Sequence, residues 1–282
     1  MKKLFIKIFF MVILGLVTNH SASANSYFAI YSTYLNYNNS EIKDNGYSLT
    51  AYSNLWNMKY GLELGISQTH INYKKGFDDL DQTDFTTSLL KYNFLDKNLL
   101  LKFGFHYISS DDDLTDNGKI YFADITYYIP YVRNYGLEIA YSNYNEVHDL
   151  NIIQLSPHAG FFIKKLYLEV RGYYIHTNKE DKIGLNLKNF YSIESAISYQ
   201  FNNFITKIEW WLGQQVFAVK KGGFIVYNLS EKYKGGLTLD ISYNLNKKTK
   251  LGFIGSWNTY KEITTDNEVN QLVGTIFMGL TF

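Results

Sequence analysis

The sequence predicts an all-β protein: a closed antiparallel β-barrel that crosses a membrane with about fourteen strands, twelve and sixteen being the neighbouring counts. Three observations carry this. Apolar and polar residues alternate with a period of two almost throughout, and polar connections alternate strictly between short and long. The last segment, Leu272 to Phe282, is itself an alternating strand that runs to the final residue.

The period is clearest in three segments. Tyr60, Leu62, Leu64 and Ile66 share one face against Gly61, Glu63, Gly65 and Ser67. Leu99, Leu101, Phe103, Phe105 and Tyr107 oppose Lys102, Gly104 and His106, and Leu237 to Leu245 splits the same way around Thr238, Asp240, Ser242 and Asn244. In a membrane barrel the apolar face is the outside and the polar face lines the lumen.

Short turn signals fall at 56–58, 96–98, 130–134, 164–165, 202–203 and 246–249. Longer polar stretches fall at 38–45, 74–82, 110–118, 146–150, 178–187, 220–234 and 261–268. Tight periplasmic turns alternating with longer outer loops give this spacing, and it places both ends of the barrel on one side. The strands so delimited run over 26–37, 47–56, 59–72, 83–95, 98–109, 119–129, 135–145, 151–163, 166–177, 188–201, 204–218, 233–245, 250–260 and 269–282. Most are long enough to cross at a tilt, which needs about 9–11 residues. Trp56, Tyr92, Tyr127, Tyr128 and Tyr131 fall where an interfacial girdle is expected.

The first 24 residues read as an export leader. Lys2, Lys3 and Lys7 precede the apolar run Ile8 to Val17, and Ala22-Ser23-Ala24 supplies a small-x-small cleavage pattern. The expected organisation is therefore a signal peptide over 1–24 and a barrel domain over 25–282, a retained anchor being the alternative. Removing the leader's three lysines from 27 basic and 26 acidic residues leaves a net charge of −2, with no basic stripe for nucleic acid. Cysteine is absent, which excludes disulfides, thiolate metal sites and a cysteine nucleophile. The 26 Tyr and 20 Phe against 2 Pro suit paired strands. A mean hydropathy of −0.20 fits a wall in which one residue in two faces lipid.

The leader, the dyad-period strands and the terminal Phe282 together resemble the bacterial outer-membrane β-barrel superfamily across the whole mature chain. That resemblance implies a location in the bacterial outer membrane, contact with its lipid and lipopolysaccharide, and recognition of the Phe282 strand by the barrel-assembly machinery. In strand count and length the chain is similar to monomeric fourteen-stranded general porins, which implies a monomer. No motif specific to one family is present.

Parity turns a set of charges inward: the acids Glu63, Asp124, Glu138, Glu169, Glu194, Glu209 and Asp240, and the bases Lys102, Arg171 and Lys207. On the lipid side a mid-depth Arg or Lys would cost about 2–4 kcal/mol. In a hydrated lumen the acid excess favours cations; in a packed one the same groups pair across strands and brace the wall. Phe217 to Lys234 is irregular, with Lys220, Lys221, Gly222 and Gly223 followed by Phe224 to Tyr227. A hairpin projecting beyond the membrane fits its length, and a gate folded into the lumen is the sharper alternative. The outer loops, of roughly 5–18 residues, are too short to form a large plug and at most narrow the mouth.

Other side chains carry bland readings. His106 and His158 turn inward, while His70, His148 and His176 lie near loop mouths without metal-ligand spacing. Asp111, Asp112, Asp113 and Asp116, and Asp78, Asp79 and Asp81, lack the glycine and terminal glutamate of a calcium loop and read as solvated charge. The inward aromatics Tyr173, Trp211 and Phe277 offer faces for stacking on sugar rings, although such residues more often fill the taper of a barrel. No Gly-x-Ser-x-Gly element or comparable nucleophile is present, so no enzyme, cofactor or metal is expected. The expected function is a passive channel for small hydrophilic solutes with a mild cation preference. A non-conducting structural or partner-binding barrel, or the barrel module of an export system, is the second reading.

Overall fold

The computed structural model describes residues 25–144, 149–227 and 231–282; the export leader expected over 1–24, and His148, lie outside them. Long strands follow one another: β1 (Asn25–Asn38), β2 (Lys43–Trp56), β3 (Tyr60–Tyr73), β4 (Leu80–Lys91), β5 (Leu99–Ser110), β6 (Lys119–Ile129), β7 (Arg133–Tyr144) and β8 (Leu150–Ile163). Then come β9 (Leu166–Thr177), β10 (Asn189–Phe201) and β11 (Phe204–Gln215), two short strands β12 (Val219–Lys220) and β13 (Ile225–Val226), and finally β14 (Glu231–Asn244), β15 (Thr249–Glu262) and β16 (Glu268–Thr281). The fourteen long strands form one closed antiparallel barrel, each paired to its neighbour in sequence, with β11 passing directly to β14. A single turn of 3-10 helix interrupts the loop after β9, and no helix among the described residues is long and apolar enough to cross a membrane.

The seam closes between β16 and β1, from Tyr27 opposite Thr281 to Asn38 opposite Asn270. Phe282 N–H then donates to the Ser26 carbonyl at 2.8 Å, so pairing extends to the last residue. Closure removes the free edge that an open sheet would expose.

The alternation sets which side chains point out of the barrel. Leu89, Leu212 and Ile276 are 63%, 65% and 64% exposed on the outer wall, while Gln271 and Thr275, next to Leu272 and Ile276, are buried inward. Strands of 11 to 14 residues are long enough for a tilted crossing. Proline is tolerated once within the wall: Pro157 pairs with Leu137 of β7, but the β8–β9 ladder lapses between Leu155–Tyr174 and His158–Arg171, leaving it without a partner on β9, beside Gly172. Lacking an N–H, Pro157 has no donor to offer there.

At the outer rim, a buried network ties three loops together. The Lys43 ammonium donates to Glu231 with the Tyr37 and Tyr260 rings each 5.6 Å away, and the Ser40 hydroxyl donates to Glu262. Removing one partner of a buried ion pair costs about 3–5 kcal/mol, because the other charge stays in low dielectric. Glu231→Gln is thus expected to lower the unfolding midpoint seen by heat-dependent gel mobility, and Lys43→Met with Glu231→Leu to recover most of the loss.

Candidate functional site

Eight strands leave an interior just wide enough for side chains to fill, and width grows with strand number. Fourteen strands therefore enclose more space than wall side chains alone can occupy. The chain supplies the filling from within. The segment from Val216 to Tyr227 leaves the end of β11, turns into the lumen, and crosses it before returning to β14.

This overturns the projecting hairpin of the sequence reading, and with it the expectation that the outer loops contribute no sizeable plug. Val216, Phe217, Ala218 and Val219 are buried against Ile108, Ile120, Ala140, Leu150, Ile152 and Ile175 of the β5–β9 wall. Gln154 of β8 receives both sides of the Val219 backbone: its amide donates to the Val219 carbonyl at 2.6 Å and its Oε1 accepts from the Val219 N–H at 2.9 Å. Burial of four apolar residues outweighs the exposure a projecting hairpin would impose, since each is worth about 1.5–3 kcal/mol for the larger side chains.

Charge fixes the middle of the hairpin. Lys220 lies 2.6 Å from Glu194, and Lys221 contacts Glu209 and stands 3.8 Å from Glu194. The tip then passes the β5–β6 wall, where a Cβ on Gly223 would run into the Phe122 ring; Gly223 also sits at φ +81°, a conformation suited to glycine. Phe224 reaches the far wall, edge-on to Tyr52 at 5.2 Å and against Gly65. Two ladder pairs, Val219–Val226 and Lys220–Ile225, hold the hairpin's arms together, and Tyr227 stacks on Tyr233 at 4.3 Å.

A belt of ionisable groups rings the lumen at mid-depth. Glu63 lies 2.6 Å from Lys102 and accepts hydrogen bonds from Ser88 and Tyr52. Asp124 lies 2.8 Å from His158; Arg171 stands 3.7 Å from Glu138 and 3.9 Å from Glu169; Lys207 bonds Glu209 at 2.8 Å. The belt also holds Asp84, 3.3 Å from His106, which parity reading passed over. Its signal was present in the inward run Gln82, Asp84, Thr86 and Ser88 of β4. Every candidate lumen charge thus turns inward, but most are engaged in pairs, and Lys220 and Lys221 join them.

The hairpin divides the interior unequally. Toward β5–β10 it packs into the apolar cluster. Toward β1–β4 and β14–β16 it leaves a cavity of about 740 Å³. Thr33, Ser48, Thr50, Ser67, Thr69, Thr238, Ser256 and Thr275 give that wall a hydroxyl surface, with Asn258 and Gln271 beside them. Glu63, Asp84, Glu209 and Asp240 face it, as do Lys207, Lys220 and Lys221 from the other side. Asp124, Glu138 and Glu169 lie outside it, on the packed side. Tyr173 and Trp211 are buried, Lys220 sits over both rings, and Phe277 stacks on Tyr31.

The remaining candidates take loop roles. Asp116 accepts the Ser110 N–H, Asp112 the Thr115 hydroxyl, Asp79 the Tyr73 N–H and Asp111 the Asp81 N–H. His70 stands 3.0 Å from Asp81, and His176 2.8 Å from Asn189.

No protein-family model matches the chain, and no curated protein sequence matches it. Solved structures do. The chain is similar to the CymD monoaromatic hydrocarbon channel, with TM-score 0.60 and 9% identity over 94% of this chain and 90% of that one. It is similar to the TodX deltaS2S3 mutant monoaromatic hydrocarbon channel, with TM-score 0.58 and 8% identity over 94% and 92%. A bacterial polysaccharide outer membrane secretin matches at TM-score 0.54 and 10% identity over 91% and 98%. At these identities the likeness is one of fold: the chain has the closed-barrel fold of bacterial outer-membrane channels.

Proposed function

We propose that this barrel sits in a bacterial outer membrane and lets small hydrophilic solutes diffuse passively, with a mild preference for cations. The unfilled cavity beside the hairpin, with a row of hydroxyls and several charges on its wall, carries this reading. A barrel serving only as a scaffold gains nothing from an unfilled hydroxyl wall, whereas a solute stripped of water needs replacement hydrogen bonds along its path. The fold likeness and the apolar outer wall support the location. The cavity is mixed, its hydroxyls, amides and charges lying among Leu35, Ile66, Ile71, Phe224 and Val273. The charges and hydrogen-bonding groups favour a hydrophilic solute over the hydrocarbons named for two structural neighbours.

The cation preference rests on the acids that face the cavity. Glu63, Asp84, Glu209 and Asp240, with the rim residue Glu231, exceed Lys207, Lys220 and Lys221. Among the acids singled out in sequence, Glu63 and Asp240 set the field of the path; Asp124, Glu138 and Glu194 act mainly as braces. No enzymatic step or cofactor enters this reading. The packed β5–β10 side favours a second one, a non-conducting barrel whose hairpin is a permanent core.

Planar-bilayer recording separates the two. Purified protein is expected to give discrete conductance steps, and a reversal potential in a KCl gradient on the cation side of zero. Asp84→Asn with Asp240→Asn should move that potential toward zero. A bilayer that stays silent at all voltages would exclude the channel.

A further inference from the structure

One carboxylate in the belt stands apart. Glu63, Asp84, Asp124, Glu138, Glu169, Glu194 and Glu209 each lie within 4.0 Å of a basic side chain. Asp240 has no such partner among the described residues, and its Oδ1 accepts no hydrogen bond. The cause lies in the strand register. Lys207 is paired with Asp240 across β11 and β14, yet its ammonium is drawn to Glu209, two residues along its own strand, at 2.8 Å. Lys221 of the hairpin contacts the same Glu209. Two lysines thus converge on one glutamate and leave Asp240, a residue of the cavity wall with its Oδ1 buried, without an ion-pair partner. Lys250, Lys207 and Lys221 act on it only through space.

Its surroundings are rich in hydrogen-bonding groups. Thr238 lies on the same face of β14 and shares a 2.9 Å hydrogen bond with Ser256; Thr275 and Thr33 form another 2.9 Å pair on the adjoining wall. A hydroxyl has one donor and two acceptor positions, so each pair keeps capacity for a ligand. The Tyr31 ring lines the same cavity, stacked on Phe277. A buried acceptor without a partner calls for an occupant, and the chemistry that fits is an ammonium. It would neutralise Asp240 by a charge-assisted hydrogen bond and tolerate an aromatic neighbour. The hydroxyl wall beside it suits a hydroxyl-rich body, and about 740 Å³ holds a molecule of monosaccharide size or somewhat larger.

We infer that the cavity is a binding site for small polyhydroxylated amines, with Asp240 holding the ammonium and the Thr238–Ser256 and Thr33–Thr275 pairs receiving the hydroxyls. This names a solute class for the channel proposed above and rests on that reading for its role in transport. The site itself does not need conduction to be measured.

The test is calorimetric titration of the full mature barrel in detergent. The probes are glucosamine below neutral pH, where its amine is protonated, and glucose and N-acetylglucosamine as uncharged counterparts. Glucosamine is expected to bind at least about tenfold more tightly than either. Asp240→Asn should abolish that difference while leaving glucose binding in place, and Thr238→Val should weaken all three probes. Equal affinity for the three probes, no binding of any, or an ammonium preference that survives Asp240→Asn would overturn the assignment. Single-channel recording alongside keeps the two readings apart. A conducting barrel without glucosamine preference defeats only the site, and a silent barrel that binds glucosamine through Asp240 defeats only the channel.

Discussion

Replacing residues 217–229 with a short Gly-Ser turn is expected to raise single-channel conductance several-fold and to weaken cation preference. The size of the effect follows from where the hairpin runs. It begins in the apolar cluster of the β5–β9 wall, crosses to Tyr52 and Gly65 on β2 and β3, and so spans the lumen at the level of the charged belt. A fourteen-stranded wall cannot close over that width with its own side chains. Without the hairpin, the packed side would open to water and join the existing cavity. Glu194 and Glu209 would also lose Lys220 and Lys221, which widens the path more than it strengthens the field, since a wider aqueous lumen screens wall charge. The barrel itself should persist, because β11 pairs directly with β14 from Phe204–Tyr243 to Gln215–Tyr233. Heat-dependent gel mobility checks that the variant is folded before recording. An unchanged conductance in a folded variant would place the narrowest point elsewhere and remove the hairpin from any gating role.

The wall was legible in the sequence because its physics is local. An apolar outer face and a polar inner one impose a period of two, and that period carries strand number, boundaries and the inward acids together. Asp84 was readable by the same rule. The hairpin was not, because its placement depends on partners distant in sequence. Phe217-Ala218-Val219-Lys220-Lys221 carries apolar and basic residues in a proportion that suits a projecting loop as well as an inserted one. Inside the barrel, Gln154 meets the Val219 backbone and Glu194 meets Lys220, but neither neighbour can be assigned without the closed ring that brings β8, β10 and β11 around one lumen. The bare state of Asp240 was hidden for a related reason. Register predicts Lys207 as its partner, and only side-chain geometry shows Lys207 turned to Glu209.

The second large effect concerns what holds the hairpin in place. Glu194→Gln removes the carboxylate 2.6 Å from a buried Lys220 ammonium and keeps the side-chain shape. The remaining charge must either stay buried beside Tyr173 and Trp211 or carry the hairpin out toward water. Breaking a buried pair in this way costs about 3–5 kcal/mol. If docking is the step that absorbs it, hydrogen exchange at the hairpin amides should accelerate at least about a hundredfold, at 1.4 kcal/mol per factor of ten. The Gly223 and Tyr227 amides, which donate to Lys220 and Ala218 carbonyls, are the reporters, while exchange in β1 and β16 stays slow. The same variant should show noisier open-channel current, as the crossing segment visits undocked positions. Glu194→Leu with Lys220→Met is expected to restore slow exchange, because an apolar pair of similar volume suits the neighbouring cluster and leaves no charge stranded. Unaltered protection in Glu194→Gln would mean that Val216 to Val219 and the two Gln154 hydrogen bonds anchor the segment alone. The hairpin would then be part of the wall's permanent core, and the belt's lysines would tune the field without holding anything shut.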